Sequence, residues 1–167
     1  MKVLTVSGSA RKDSSNTRLL KNLHKLNYEI DFLHTSFHFQ LPLFSAELEG
    51  NSPQVVHDWK KELRNADGVI FCTPEYIHNI PAALKSALEW VTASGELSGK
   101  KVLAITYTPH EPRGKKAMQS LLWSLQALDA NILVSLELYK TDIIIKDDGE
   151  ISGSSSEILK ASLELFF

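Results

Sequence analysis

The chain has 167 residues, 43% of them hydrophobic and 23% charged, with a formal net charge of −2. That length suits one domain with a well-buried core, expected over residues 1–167, and the ordinary composition excludes a disordered chain. The near-neutral balance gives no global attraction to nucleic acid or an anionic membrane, so neither is expected as a partner and any anion site must be local.

The first apolar run, Lys2–Ser7, reads as a strand; its apolar part is far shorter than a signal peptide or a membrane span. A polar loop, Gly8–Ser15, follows, and then a helical stripe of Leu19, Leu20, Leu23 and Leu26. Tyr28–Leu33 is a weaker candidate strand. Val55, Val56, Trp59 and Leu63 make the next helical stripe, and Gly68–Thr73 the next apolar run. Leu84, Ala87, Leu88 and Val91 follow as a helix, Lys101–Thr106 as a strand, and Met118, Leu121, Leu122, Leu125 and Leu128 as a helix. Asn131–Leu136 is the last long strand. Tyr139–Gly153 reads as a short extra strand or excursion, and Leu159, Leu163 and Phe166 close the chain on a helix.

Four of these runs are almost continuously apolar, as strands buried on both faces of a parallel sheet should be. Strands alternating with helices imply right-handed crossovers and helices on both faces. The expected fold is therefore α/β: a three-layer α/β/α sandwich around a five-stranded parallel sheet of flavodoxin-like order 2-1-3-4-5. Such sheets bind ligands beyond the carboxyl ends of their strands, where the strand order reverses. Gly8–Ser15, Pro74–Asn79 and Tyr107–Gly114 are then the candidate loops.

The single cysteine, Cys72, excludes an internal disulfide framework and a Cys-based metal site, and reads as a small core residue. A cytoplasmic protein is expected on that basis. His34 and His38 are four apart, but Phe37 and Phe39 alternate with them and no third ligand is apparent, so no metal is expected. Trp59, Trp90 and Trp123 lie on or beside helical stripes, which suits packing or a subunit interface.

The first loop runs straight into a helix, whose unpaired first-turn N–H groups converge on one spot. Ser9, Ser14, Ser15, Asn16 and Thr17 can add donors and Arg11 can add charge, a set that fits a phosphate monoester. The loop matches neither the nucleoside triphosphate P-loop nor the dinucleotide Gly-x-Gly-x-x-Gly pattern. An ordinary capped helix start explains the same residues, so two readings stand on this loop alone.

The second loop is more specific. Thr73-Pro74-Glu75-Tyr76, then Pro81, then Ala83-Leu84-Lys85-Ser86-Ala87-Leu88-Glu89-Trp90, resembles the flavin-edge loop and following helix of the NAD(P)H-dependent FMN reductase family of flavin, quinone and azo-compound reductases. Gly8-Ser9-x-Arg11, followed by Ser15 and Asn16, resembles that family's phosphate loop. The two motifs stand in the family's order, and the resemblance runs from Met1 to about Leu136.

The resemblance implies an FMN-dependent oxidoreductase that takes a hydride from NADPH or NADH and passes two electrons to a small acceptor such as a quinone, azo compound or flavin. It also implies a homodimer or homotetramer. Ser9, Arg11, Ser15, Asn16 and Thr17 would hold the FMN phosphate, with Ser14 adjacent. Pro74, Glu75 and Tyr76 would run along the isoalloxazine ring chiefly through backbone groups, which do not titrate. Asn79 would bond a ring carbonyl or cap the next helix. No side chain is expected as nucleophile or base, because the cofactor carries the chemistry.

This chain departs from the family in three places. Ile77 and His78 stand where the family has Asn and Gly, and Ala82 follows Pro81 where the family has Gly. Thr108-Pro109-His110-Glu111-Pro112-Arg113-Gly114 replaces a Gly-Gly pair that lies against the flavin, leaving Thr108 and Gly114 as its candidate contacts and Ile77 as a further one. Two other readings follow: an FMN-binding module with little turnover, or a phosphate- or nucleotide-recognising enzyme of the same fold without flavin.

Overall fold

The computed structural model describes residues 1–35 and 39–167. Five parallel strands, β1 (Lys2–Ser7), β2 (Asp31–His34), β3 (Gly68–Thr73), β4 (Lys101–Thr108) and β5 (Asn131–Tyr139), form a sheet of order β2-β1-β3-β4-β5. Between and after them come helices α1 (Ser15–Asn22), α2 (Gln54–Asn65), α3 (Ala82–Glu89), α4 (Lys115–Ala127) and α5 (Ser156–Glu164). This is the expected flavodoxin-like α/β/α sandwich. His38 and Phe37, half of the His34–Phe39 pattern, lie outside the described residues.

β3 shows why continuous apolarity marks a central strand. Val69 and Phe71 pack into one layer with Trp59, Leu63, Leu84 and Leu88 of α2 and α3 and Leu121 and Leu125 of α4. Ile70 and Cys72 pack into the opposite layer with Leu19 of α1 and Leu159 and Leu163 of α5. Successive residues point to opposite faces, and here both faces are covered, so every position must be apolar. The edge strands β2 and β5 obey a looser rule and are largely half-buried.

That looseness explains where the expected boundaries move. The weak run Tyr28–Leu33 yields a strand only from Asp31, and Tyr28 is exposed. β4 and β5 continue past the purely apolar stretches to Thr108 and Tyr139, because their ladder extends with the register Thr108↔Tyr139. Helix α1 stops at Asn22, and Leu23–Lys25 tightens into a 3-10 turn.

The Tyr139–Gly153 excursion is an antiparallel hairpin of β6 (Ile144–Ile145) and β7 (Ile151–Ser152). It is tied to the sheet by the Tyr107 hydroxyl, which donates to Ile143 O at 3.0 Å. Beyond it α5 delivers Phe166, fully buried, onto Gly68: a Cβ there would stand 2.5 Å from the ring. The Lys101 ammonium donates to Phe166 O at 2.6 Å. The tail is thus part of the core. Phe166→Ala is expected to cost about 3–5 kcal/mol, the usual loss for a buried aromatic, read as a lower urea midpoint with native far-UV circular dichroism.

Candidate active site

The β1–α1 loop starts by pressing on the end of β3. The Gly8 N–H donates to Cys72 O at 2.8 Å, and a Cβ on Gly8 would stand 2.3 Å from Thr73 Oγ1, so only glycine allows the approach. Ser9, buried, accepts the Arg11 N–H at 3.3 Å. Ser14 is the N-cap of α1, its hydroxyl accepting the Thr17 N–H at 3.0 Å. The amides of Ser15 and Asn16 are the next two in the first turn and have no intrahelical acceptor.

Two residues of the expected phosphate set turn their side chains elsewhere. The Thr17 hydroxyl donates to Ser7 Oγ at 2.9 Å and lies 2.9 Å from Ser14 Oγ, stitching the loop from beneath and not lining the cleft. The buried Asn16 amide donates to Tyr107 O at 3.3 Å and accepts from the Cys72 thiol at 3.2 Å, so it ties α1 to β3 and β4. Asn16 also lines the cleft. Burial pushes the Cys72 thiol far up from its ordinary pKa, which removes it from acid-base and redox chemistry.

At the end of β3, Tyr76–Asn79 forms a tight turn: the Tyr76 N–H donates to Asn79 O and the Asn79 N–H to Tyr76 O, both at 3.0 Å. Its two central residues, Ile77 and His78, have φ of 51° and 55°. That is the geometry in which Asn-Gly is favoured, and it is strained for a β-branched residue. Ile77 is exposed and, like Asn79, does not line the cleft. Asn79 Oδ1 accepts from the Ile80 N–H at 2.8 Å and the Ser120 hydroxyl at 2.6 Å, and α3 begins at Pro81 without a side-chain cap. The expectation that Asn79 caps α3 therefore does not hold.

The side chain of Glu75 does what composition and spacing did not reveal. Its Oε2 accepts the N–H groups of Gly114, Lys116 and Ala117 at 3.0, 3.0 and 3.1 Å, capping α4 from a distant loop. Burial raises the Glu75 pKa, but these three donors, with His78 3.5 Å from Oε1, outweigh it and hold the carboxyl below its ordinary range. A signal was present in the sequence. Helix α4 starts Gly114-Lys115-Lys116 with no Ser, Thr, Asp or Asn as N-cap and two cations against the helix dipole, which calls for a carboxylate from elsewhere.

Gly114 is accordingly a structural glycine and not a cleft contact. Its φ is 104°, its N–H goes to Glu75, and a Cβ would lie 2.9 Å from Thr106 Oγ1. Thr108 does line the cleft, its hydroxyl donating to Arg113 O at 2.8 Å to close the loop. Together these loops enclose about 410 Å3, within the range of small-molecule sites. Ser9, Arg11, Ser14, Ser15, Asn16, Pro74, Glu75, Tyr76 and Thr108 of the expected set are brought together there. Arg18, Arg113 and Lys140 join Arg11 as cleft cations, against Asp13 and the already engaged Glu75. These three were missed because they sit on a helix, a substituted loop and the end of an edge strand, outside the motifs.

The family model described as NADPH-dependent FMN reductase matches residues 1–140. The chain belongs to that family. It is an oxidoreductase, with FMN as cofactor and NAD(P)H as electron donor. It is 33% identical over 145 residues to a 2-hydroxy-1,4-benzoquinone reductase of Burkholderia sp, covering 83% of this chain and 78% of the relative. The NADH-dependent flavin reductase subunit 2 of Lactobacillus johnsonii is 32% identical over 166 residues, covering 90% and 86%. Among solved structures, the flavoenzyme NAD(P)H:(acceptor) oxidoreductase FerB of Paracoccus denitrificans superposes with a TM-score of 0.85 at 25% identity, covering 99% and 94%.

Glu75→Ala, which strands three amides of α4, is expected to destabilise this family member by about 1–3 kcal/mol, measured by urea unfolding at pH 7. Because the folded-state pKa lies below the ordinary 4.5, the difference is fully present above that value. It is lost as the pH falls through the depressed one. A difference that persists unchanged at lower pH contradicts the ionised cap.

Proposed function

We propose that the cleft holds FMN with its phosphate on the start of α1 and its ring against Pro74–Tyr76 and Thr108, and reduces a small acceptor such as a quinone, azo compound or flavin. The carrying observation is the meeting of the phosphate-sized helix start with the β3 and β4 loops in one cleft. The residues fit the group: the Ser15 and Asn16 amides, the Ser9 hydroxyl and the Arg11 guanidinium suit a dianion. Bound FMN supplies the two-electron hydride chemistry.

The chain's own residues bind and orient. Pro74 has no N–H and the Tyr76 N–H is taken by Asn79 O, which leaves the Glu75 amide as the donor of that trio toward the polar edge of the ring. The Glu75 carboxylate, held ionised by three amides, is no proton donor, in keeping with chemistry that needs no acid or base from the protein. Ile77, Asn79, Thr17 and Gly114 lie outside the lining of the cleft. A second reading, FMN binding with little turnover, draws on the Thr108–Gly114 loop, which lacks the paired glycines.

FMN-loaded protein is expected to absorb near ~450 nm and to bleach anaerobically with NADPH or NADH. Uptake without bleaching favours the binding module, and no uptake overturns both. Arg11→Ala is expected to weaken FMN about tenfold or more while changing riboflavin little, the loss of a charge-assisted contact to phosphate; equal losses contradict the assignment.

We further propose a cytoplasmic homodimer or homotetramer, supported by Trp123, 63% exposed on α4 while Trp59 and Trp90 are buried. Among the described residues no helix is long and apolar enough to cross a membrane. Light scattering should give a multiple of 18.7 kDa; the monomer mass overturns the assembly.

A further inference from the structure

The loop that replaces the family's paired glycines brings charge to the rim of the cleft. A second cavity of about 380 Å3 adjoins it, with Glu75 and Arg113 lining both. Its remaining walls are Ile77, His78, Pro112, Lys115 and Lys116, so Glu75 is the one acidic residue facing four basic ones. The Glu75 carboxylate is already committed to three amides of α4, and His78 stands 3.5 Å from it. Lys115 is neutralised by Glu111 at 2.9 Å. Among the described residues, the Arg113 guanidinium and the Lys116 ammonium have no ion pair.

Two local costs converge on the same walls. Consecutive lysines in the first turn of α4 oppose the helix dipole. Ile77 and His78 are held at positive φ in a turn that a β-branched residue enters only under strain. The backbone of Arg113 is meanwhile fixed, its N–H donating to His110 O at 3.1 Å and its carbonyl accepting from Thr108, so the free guanidinium is presented from a rigid base. Glu75 and Glu111 offset part of the first cost from within the protein, and negative charge in the cavity offsets more of it.

We infer that this cavity is an anion subsite for the second substrate, in which Arg113 and Lys116 grip a phosphate, carboxylate or sulfonate while the redox part of the same molecule reaches the cleft through the shared Glu75–Arg113 rim. The inference rests on the FMN reading of the cleft. The anion comes either from the ribose phosphate that distinguishes NADPH from NADH or from an acidic group on the acceptor.

The test uses FMN-loaded Lys116→Gln, with Lys116→Glu and Arg113→Gln as further variants. KM and kcat are measured separately for NADPH and NADH, and for a neutral benzoquinone against its sulfonated analogue. The KM for the anionic member of one pair is expected to rise about three- to tenfold, as for loss of a charge-assisted contact. Its neutral counterpart, kcat and the FMN Kd of the Lys116 variants should stay near wild type. A shift confined to NADPH identifies the ribose phosphate, and one confined to the sulfonated quinone identifies the acceptor. Equal shifts for charged and neutral partners, or none, overturn the subsite. A variant that changes the assembly by light scattering but leaves these ratios alone also overturns it and assigns the cavity to a subunit contact. Wild-type protein that fails to take up FMN instead sinks the cofactor reading, so the two failures are distinct.

Discussion

The Glu75 carboxylate, received by three amides at the start of α4, is the constraint that makes one wall out of two loops. The β3–α3 and β4–α4 connections leave neighbouring strands, and nothing in a parallel ladder fixes how their ends lie relative to each other. A single charge-assisted cap does so, and it does more than stabilise a helix. It forces Gly114 into a left-handed conformation with its N–H turned to Glu75, and thereby sets where Thr108 and Arg113 lie. It also sets the Glu75 negative charge against the positive end of the α4 dipole, which offsets part of it at the cleft rim.

The β1–α1 side of the cleft is fixed by equally specific but neutral contacts. Asn16 bonds Tyr107 O and Cys72, and Gly8 lies so close to Thr73 that no Cβ fits, so the start of α1 cannot shift without disturbing β3 and β4. The Ser7, Ser14 and Thr17 hydroxyls form a connected underside. Groups engaged in this way hold the loop's shape, while the amides of Ser15 and Asn16 and the Arg11 side chain are left to face a ligand. Orientation and binding are thus carried by different atoms of the same short segment, which suits a preorganised anion site.

How much of this was legible depended on distance along the chain. β1 and β3 read clearly because burial on both faces demands continuous apolarity, and β2 read poorly because an edge strand carries a weaker demand. A capped start of α1 was legible as one of two readings because a cap bonds within its own turn, though not that Ser14 supplies it. The cap of α4 was not, since its donors and acceptor are 39 to 42 residues apart and only a missing local cap hinted at it. Thr17 and Asn16 were correctly placed at the loop, yet their side chains bond inward, and nothing in residue type distinguishes a hydroxyl that meets a ligand from one that braces the loop. Arg18 reaches the cleft from α1, beside the reversal of strand order between β1 and β3, and Lys140 from the end of the far edge strand, where its N–H donates to Thr108 O.

The substituted third loop changes the balance of forces at the β4 side of the cleft. Paired glycines let main chain approach a flat ligand closely; Pro109, His110, Pro112 and Arg113 give up that intimacy for bulk and charge. In a chain of net charge −2, the cleft nonetheless gathers Arg11, Arg18, Arg113 and Lys140 against Asp13, with Glu75 committed to α4. The phosphate proposed at the start of α1 would account for the charge nearest Arg11. The charge at Arg113 lies on the loop where this sequence leaves its family, and it adjoins Lys116 across a shared rim. Long-range attraction from so local a patch is screened beyond about 8–10 Å at ordinary ionic strength. The proposed subsite would therefore act on a substrate already at the mouth of the cleft, on choice among substrates more than on their capture.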